Sequence, residues 1–285
     1  MIMPQGRCMN RLSGKGRTML KEIRAALGPV ARVGKEITYL PTCPSTNDLL
    51  KAMAEAGAGE GTVLIAGEQT RGKGRLGRSF TSAAGKGVYL SALLRPDLSP
   101  EALLPLTGFT AEAMGRAVHR VSGVRPGVKW VNDLLLNGKK ICGILTESAF
   151  STGGQLKYVV VGVGLNVNYE TKDFPPELQA LAGSLLTETG RRYPLPTLAA
   201  AMIEALDELY TALLTGQTDP YLAAYRQHCQ TLHKDVRLIQ NGVSVPAYAL
   251  DVDESLGLLV RCPDGSETLI RSGEASVRGL YGYAE

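Results

Sequence analysis

The sequence predicts an α+β protein in which a mixed sheet with flanking helices is followed by a small all-β module. Three observations carry that expectation. Strand-like runs near 127–131, 133–136 and 140–147 follow one another with no helix between them, which a βαβ repeat would not do. Helical apolar spacing recurs on both sides of that block. From about residue 235 the texture changes to short β-rich runs split by turns.

Taken in order, residues 1–18 are rich in Gly, Arg and Lys and are expected to be disordered, with a short helix around 19–27 ended by Gly28-Pro29. Ser45-Thr46-Asn47-Asp48 resembles a capping box ahead of Leu49, Leu50 and Met53, and Gly57 closes that helix. Residues 62–66 and 87–94 read as strands. Ser99-Pro100-Glu101 opens a helix to about 121, with Ser as cap and Pro in the first turn. The run 157–168 reads as a buried strand. Thr197 caps a helix that places Met202, Leu206, Leu209 and Leu213 on one face, and Asp219-Pro220 starts another. Five short strands then follow, separated by turns such as Asn241-Gly242 and Asp264-Gly265, and suggest an SH3-like barrel. The expected division is a basic tail over 1–35, a main domain over 36–234 and the β module over 235–285.

The 285 residues are 44% hydrophobic and 20% charged, globular values that exclude a disordered or coiled-coil chain. The net charge of +4 is unevenly placed. Residues 1–35 hold eight Lys/Arg against Glu22 alone, leaving 23 basic and 26 acidic residues elsewhere, a net of −3. A folded body of that sign argues against nucleic acid as a partner. No apolar run reaches the length of a membrane span. Five scattered cysteines with no CxxC pair argue against a disulfide framework or structural zinc, and point to a reducing cytoplasm. His119, His228 and His233 have no metal-ligand spacing.

Three stretches carry chemistry. EQTRGKGRLGRSF (68–80) interleaves Gly72, Gly74 and Gly77 with Arg71, Lys73, Arg75 and Arg78, a composition suited to holding an anion. Its GxGxxG match precedes β-rich sequence instead of a helix, and its GxxxxGK match puts Gly74 where a P-loop needs Ser or Thr, so neither dinucleotide nor P-loop readings hold. Alone it reads equally as a solvated basic hairpin. KWVND (129–133), with Lys139-Lys140 and Gly143 behind it, groups a cation, the single Trp, an amide and a carboxylate between strands. Gly162 and Gly164 interrupt an apolar strand, which marks either a bulge or close approach of a ligand.

In this order, Ser45-Thr46-Asn47, the Gly/basic loop, KWVND with GKKICGILTE, VGVGLNVN and a small β module, the chain resembles the bacterial biotin protein ligases over about residues 36–285. The family pattern GRGRRGR reads GKGRLGR here, KWPND reads KWVND, and the family Trp after the loop is Phe80. No DNA-reading domain is evident at the front, as in the monofunctional form.

The resemblance implies a catalytic domain of the biotin/lipoate ligase type and a ligase forming a carbon–nitrogen bond. Biotin and ATP would be substrates, with Mg2+ as cofactor, biotinyl-5'-AMP as intermediate and a biotin carboxyl carrier protein as acceptor, in the cytoplasm. A homodimer stays open. It also implies roles. Ser45, Thr46, Asn47 and Gln69 would bind biotin's ureido ring, and Lys73, Gly74, Arg75, Lys140 and Gly143 would complete the biotin contacts. Arg75, Arg78, Phe80, Lys129, Asn132, Gly164 and Asn166 would bind ATP. Lys140, Asp133 and Arg75 would be catalytic, and Asp133 would hold the magnesium. A lipoate or octanoate ligase of the same superfamily is the alternative, and a nucleic-acid-binding module a more distant one.

Overall fold

The computed structural model describes residues 14–240, 243–271 and 276–279. Helix α1 (Gly14–Ala26) is followed by β1 (Ile37–Leu40), α2 (Thr46–Glu55), β2 (Val63–Ala66), β3 (Gly87–Leu94), α3 (Leu106–Ser122), β4 (Gly127–Lys129), β5 (Asp133–Leu136), β6 (Lys139–Phe150) and β7 (Leu156–Asn166). Three helices come next: α4 (Leu185–Thr189), α5 (Leu195–Leu214) and α6 (Asp219–His228). The seven strands form one sheet in the order β1-β2-β3-β7-β6-β5-β4. Only β1 and β2 are parallel, joined by α2, so the sheet is mixed as expected.

Strand alternation divides the sheet into two unequal faces. Val63, Ile65, Leu90, Ala92, Val161 and Val163 belong to the main core, which includes Phe109 and Met114 of α3 and Met202 and Leu206 of α5. On the opposite face α2 covers a smaller cluster, setting Leu50 and Ala54 on Leu64, Leu93, Tyr158 and Val160. Helix α2 spans only one end of that face, and the remainder carries the cleft described below.

Three expectations need correction. The segment 1–35 is not a tail from residue 14 onward: α1 starts before residue 19 and buries Ile23 to 1% exposure. The backbone N–H groups of Ala31, Arg32 and Val33 donate to the buried carboxylate of Asp207 at 2.6–2.7 Å, which both satisfies that charge and fixes the segment. Helix α3 opens at Leu106, not Ser99. Pro105 cannot continue an earlier helix, so Glu101–Leu103 forms a separate short turn. Helix α5 starts two residues before Thr197, with Pro196 in its first turn. Residues 1–13 and the Asn241-Gly242 turn lie outside the described residues.

The C-terminal module is a second sheet of β8 (Lys234–Gln240), β9 (Val243–Val252), β10 (Leu258–Arg261), β11 (Glu267–Ile270) and β12 (Ser276–Gly279), ordered β11-β10-β9-β8-β12 and antiparallel throughout. Its joint with the main domain is close. Leu256, 1% exposed, packs so tightly on α3 that a Cβ at Gly108 would stand 2.3 Å from its Cδ1. The Leu256 carbonyl accepts a hydrogen bond from the Trp130 indole at 2.8 Å, and Trp130 N donates to Thr231 Oγ1 at 2.9 Å. The KWVND turn is therefore held from outside by the C-terminal module. Among the described residues no helix is long and apolar enough to cross a membrane.

Candidate functional site

The uncovered part of the sheet floors an open cleft of about 470 Å3. The central strands align in rows: Ser91, Gly162 and Leu145 form one, and Tyr89, Gly164 and Gly143 the next. Glycine at the middle of both rows has a steric reason. A Cβ at Gly162 would stand 2.1 Å from Asn47 Oδ1, and one at Gly164 would stand 2.5 Å from the Phe80 ring. The interrupted strand thus marks close approach, and among the described contacts the approaching groups are the protein's own side chains.

One end of the cleft is the N-terminus of α2. Ser45 caps it, its hydroxyl accepting from Asp48 N at 3.4 Å. Thr46 donates from its backbone N and its hydroxyl to Gln69 Oε1 at 2.8 and 3.0 Å, and Gln69 Nε2 donates to Ser82 Oγ at 2.9 Å. The Gln69 amide is thereby fixed in one orientation. Asn47 Oδ1 accepts from Ser91 at 2.6 Å, while its Nδ2 donates to the Leu145 carbonyl and the Glu147 carboxylate. Ser45, Thr46 and Asn47 are all at most 4% exposed, so unused hydrogen-bonding capacity here faces the cleft they line.

The Gly/basic loop lies across the cleft as a roof. It is a tight hairpin, with Phe80 N bonded to Gly72 O at 2.9 Å and Gly74 N to Arg78 O at 2.7 Å. Three contacts hold it down. Arg75 Nη1 donates to Asn132 Oδ1 at 3.0 Å, Lys73 pairs with Asp48 at 2.7 Å, and the Phe80 ring rests over Gly143 and Gly164. Burial presses the Arg75 pKa downward while Asp133 opposes the shift; an arginine stays cationic regardless. The Asp48 carboxyl is desolvated, which would raise it, but bonds from Lys73 and Lys51 hold it below the usual range. At the tip, Leu76 adopts φ 55° and points outward, 69% exposed.

Lys140 reaches the cleft because of a β-bulge. Leu134 pairs with Cys142 and Leu135 with Lys140, so β6 carries one extra residue, Ile141, which is buried in the core. Lys140 then lines the cleft with Gly143, its Nζ 2.7 Å from Asp133 Oδ1, while Lys139 points away to Glu188 at 3.6 Å. Cys142 is fully buried and burial pushes its thiol up, as it pushes Cys43 up to about 11, so neither is a nucleophile near neutral pH.

Of the expected residues, the cleft brings together Ser45, Thr46, Asn47, Gln69, Lys73, Gly74, Arg75, Phe80, Asn132, Lys140, Gly143 and Gly164. Asp133 stands behind Lys140. Arg78 is exposed on the roof, and Lys129 stands opposite Asp133 in the β4–β5 register. Asn166 lies beyond the lining, its Nδ2 donating to the Gly183 carbonyl at 3.0 Å and its buried Oδ1 having no hydrogen-bond partner among the described residues. Ser82, Ser91, Lys51 and Glu147 escaped the sequence reading. Ser91, a lone hydroxyl in an apolar strand, was the one visible signal among them.

The sequence model of the Biotin/lipoate A/B protein ligase family matches residues 39–166. The chain is 30% identical over 250 residues to the bifunctional ligase/repressor BirA of Bacillus subtilis, covering 88% of this chain and 76% of that one. It is 34% identical over 252 residues to the biotin–[acetyl-CoA-carboxylase] ligase of Mycobacterium tuberculosis, covering 84% and 88%. The structure of the biotin protein ligase from Aquifex aeolicus in complex with biotin and ATP superposes with a TM-score of 0.73 at 26% identity, over 86% of this chain and 99% of that one.

Proposed function

The chain belongs to the Biotin/lipoate A/B protein ligase family, and from that premise we propose that it joins biotin to a lysine of a carrier protein at the expense of ATP. In the first step a biotin carboxylate oxygen attacks the α-phosphorus of ATP. The bond to the β-phosphate oxygen breaks, pyrophosphate leaves and biotinyl-5'-AMP forms. In the second, the acceptor lysine amine attacks the acyl carbon, loses a proton and expels AMP.

The observation that carries this reading is the combination of a polar, preorganised end at α2 with a cationic middle. A ureido ring offers two N–H donors and one carbonyl acceptor. Ser45, Thr46, Asn47 and Gln69 present complementary groups there. Next along the cleft come the cations Lys73, Arg75 and Lys140. Two anions must approach within bonding distance in the first step. An ammonium fixed by Asp133 offsets their repulsion most strongly in the transition state. The mixed anhydride is water-labile, and a glycine-rich roof that lies down over it keeps water out. Phe80 would offer its ring face to the adenine, with Asn132, Gly164 and Asn166 on the nucleotide side and Arg78 and Lys129 adding positive charge.

Magnesium would arrive with ATP. Among the described residues no group of three His, Cys, Asp or Glu could cage a metal. One carboxylate with substrate phosphates is a donor set that magnesium commonly takes, and Asp133 supplies that carboxylate. When bound, the ion neutralises phosphate charge. The acceptor we propose is a biotin carboxyl carrier domain, reached in the cytoplasm, where ATP is supplied.

The test is pyrophosphate release. ATP with biotin should yield AMP and pyrophosphate, and label should pass to a purified carrier domain. Release of ADP and phosphate, or equal turnover with lipoate, would overturn the reading.

A further inference from the structure

The orientation of the Asn47 amide follows from its neighbours. Facing Nδ2 are two groups that can only accept, the Leu145 carbonyl at 3.2 Å and the Glu147 carboxylate at 2.8 Å. Facing Oδ1 is the Ser91 hydroxyl at 2.6 Å, whose single proton is shared with Thr46 Oγ1 at 2.8 Å, itself a donor to Gln69, so the Ser91 side tolerates either orientation and the two acceptors facing Nδ2 decide it. Asn47 therefore turns its oxygen toward the cleft row of Ser91 and Gly162, and one lone pair remains after the Ser91 bond. Glu147 itself lies outside the cleft lining. Lys51 braces it at 2.5 Å, and Lys51 is in turn 3.2 Å from Asp48. Turned by half a rotation, the amide would have nearly the same shape but would present a donor. The charge-assisted bond to Glu147 is the strongest single restraint against that turn.

We propose that Glu147, braced by Lys51, is a specificity-determining positioning residue: it holds Asn47 so that the cleft presents an acceptor, and so selects a ring bearing N–H at that point. This rests on the biotin reading above. A ureido N–H completes the Asn47 oxygen. A ring of similar size with oxygen or sulfur there sets lone pairs against lone pairs and leaves a buried acceptor unpaired, the situation in which enzymes discriminate most strongly. A dithiolane has no such N–H, so the same residue separates the two acyl classes that this fold family handles.

The experiment measures pyrophosphate release with biotin and with the two cyclic carbamate analogues in which one ureido N–H is replaced by oxygen. Wild type should prefer biotin over one of them by on the order of 100-fold or more. Glu147→Leu should raise the biotin KM about tenfold with little change in kcat, and should cut that preference by a similar factor. Glu147→Gln keeps an acceptor toward Asn47 and should stay close to wild type. Lys51→Met should move the preference in the same direction as Glu147→Leu but less far, and it carries the test if the Leu variant does not fold. A purely structural Glu147 would weaken both ligands together, so an unchanged biotin-to-carbamate ratio in the variants overturns the proposal while leaving the biotin reading intact. If wild type releases no pyrophosphate with biotin, the biotin reading fails first and takes this inference with it.

Discussion

Lys139 and Lys140 are adjacent, chemically identical and placed on opposite sides of one strand. Their adjacency alone predicts that one faces the ligand and the other does not. Which one does so depends on the bulge at Ile141, since strict alternation from Gly143 would have sent Lys139 to the cleft. No composition or spacing signal announces a bulge, so in the sequence only the family resemblance points to Lys140. Lys140→Ala removes the ammonium fixed by Asp133, so biotinyl-AMP formation should slow on the order of 10²–10³-fold. Lys139→Ala loses only the outward contact to Glu188 and should remain near wild type. Single-turnover adenylation by the two folded variants checks this, and equal losses would refute it. The α2 end was legible in part. Ser45 to Asp48 reads as a cap from the sequence, but Glu147 lies a hundred positions from the Asn47 it orients, and only the sheet brings them together.

The glycine-rich roof was legible only in part: three glycines and four cations in eight residues suit an anion but read equally as a solvated hairpin, and the order of the stretches around it was what pointed to a site. How its base is fixed was not legible. Two buried tyrosines far apart in sequence do that: Tyr169 OH accepts from Ala83 N at 2.6 Å, donates to Thr81 O at 3.2 Å and lies 2.6 Å from Tyr89 OH. Burial raises the pKa of both phenols, so they stay neutral and able to donate across the working pH range. The pair pins residues 81–83, immediately after Phe80, so the end of the roof that returns to the sheet is anchored. Tyr169→Phe leaves the Ala83 N–H without its acceptor and should cost about 1–3 kcal/mol in chemical denaturation. It should also hasten trypsin cleavage between residues 71 and 78, where the roof carries its basic side chains. A stability loss with no change in cleavage would separate the tyrosine pair from the roof.

At the scale of the whole molecule, the change of texture near residue 235 predicted the second domain, and its five strands are all present. The contact between domains could not be foreseen, because it joins single residues of distant segments: Gly108, Trp130 and Leu256. Gly108 has no side chain to signal a role, and its importance is the space it leaves for Leu256. Through Trp130 the C-terminal module supports the turn that carries Asn132, and Asn132 holds the roof through Arg75. Leu256→Ala should lower stability by about 2–5 kcal/mol. It should also increase hydrogen exchange around Trp130–Asn132, although the mutation lies outside the cleft. Unchanged exchange in that turn would show that the module is merely appended.

The chain contains one tryptophan, and it sits at this joint, 5% exposed and two residues from the side chain that receives the roof. Its indole is therefore a native optical probe. Excited at wavelengths that the eleven tyrosines do not absorb, the protein emits from this single site, which is shielded from water. Titrating ligand into the unlabelled protein should read the state of the joint directly, and a roof that moved without disturbing the turn would leave that emission silent.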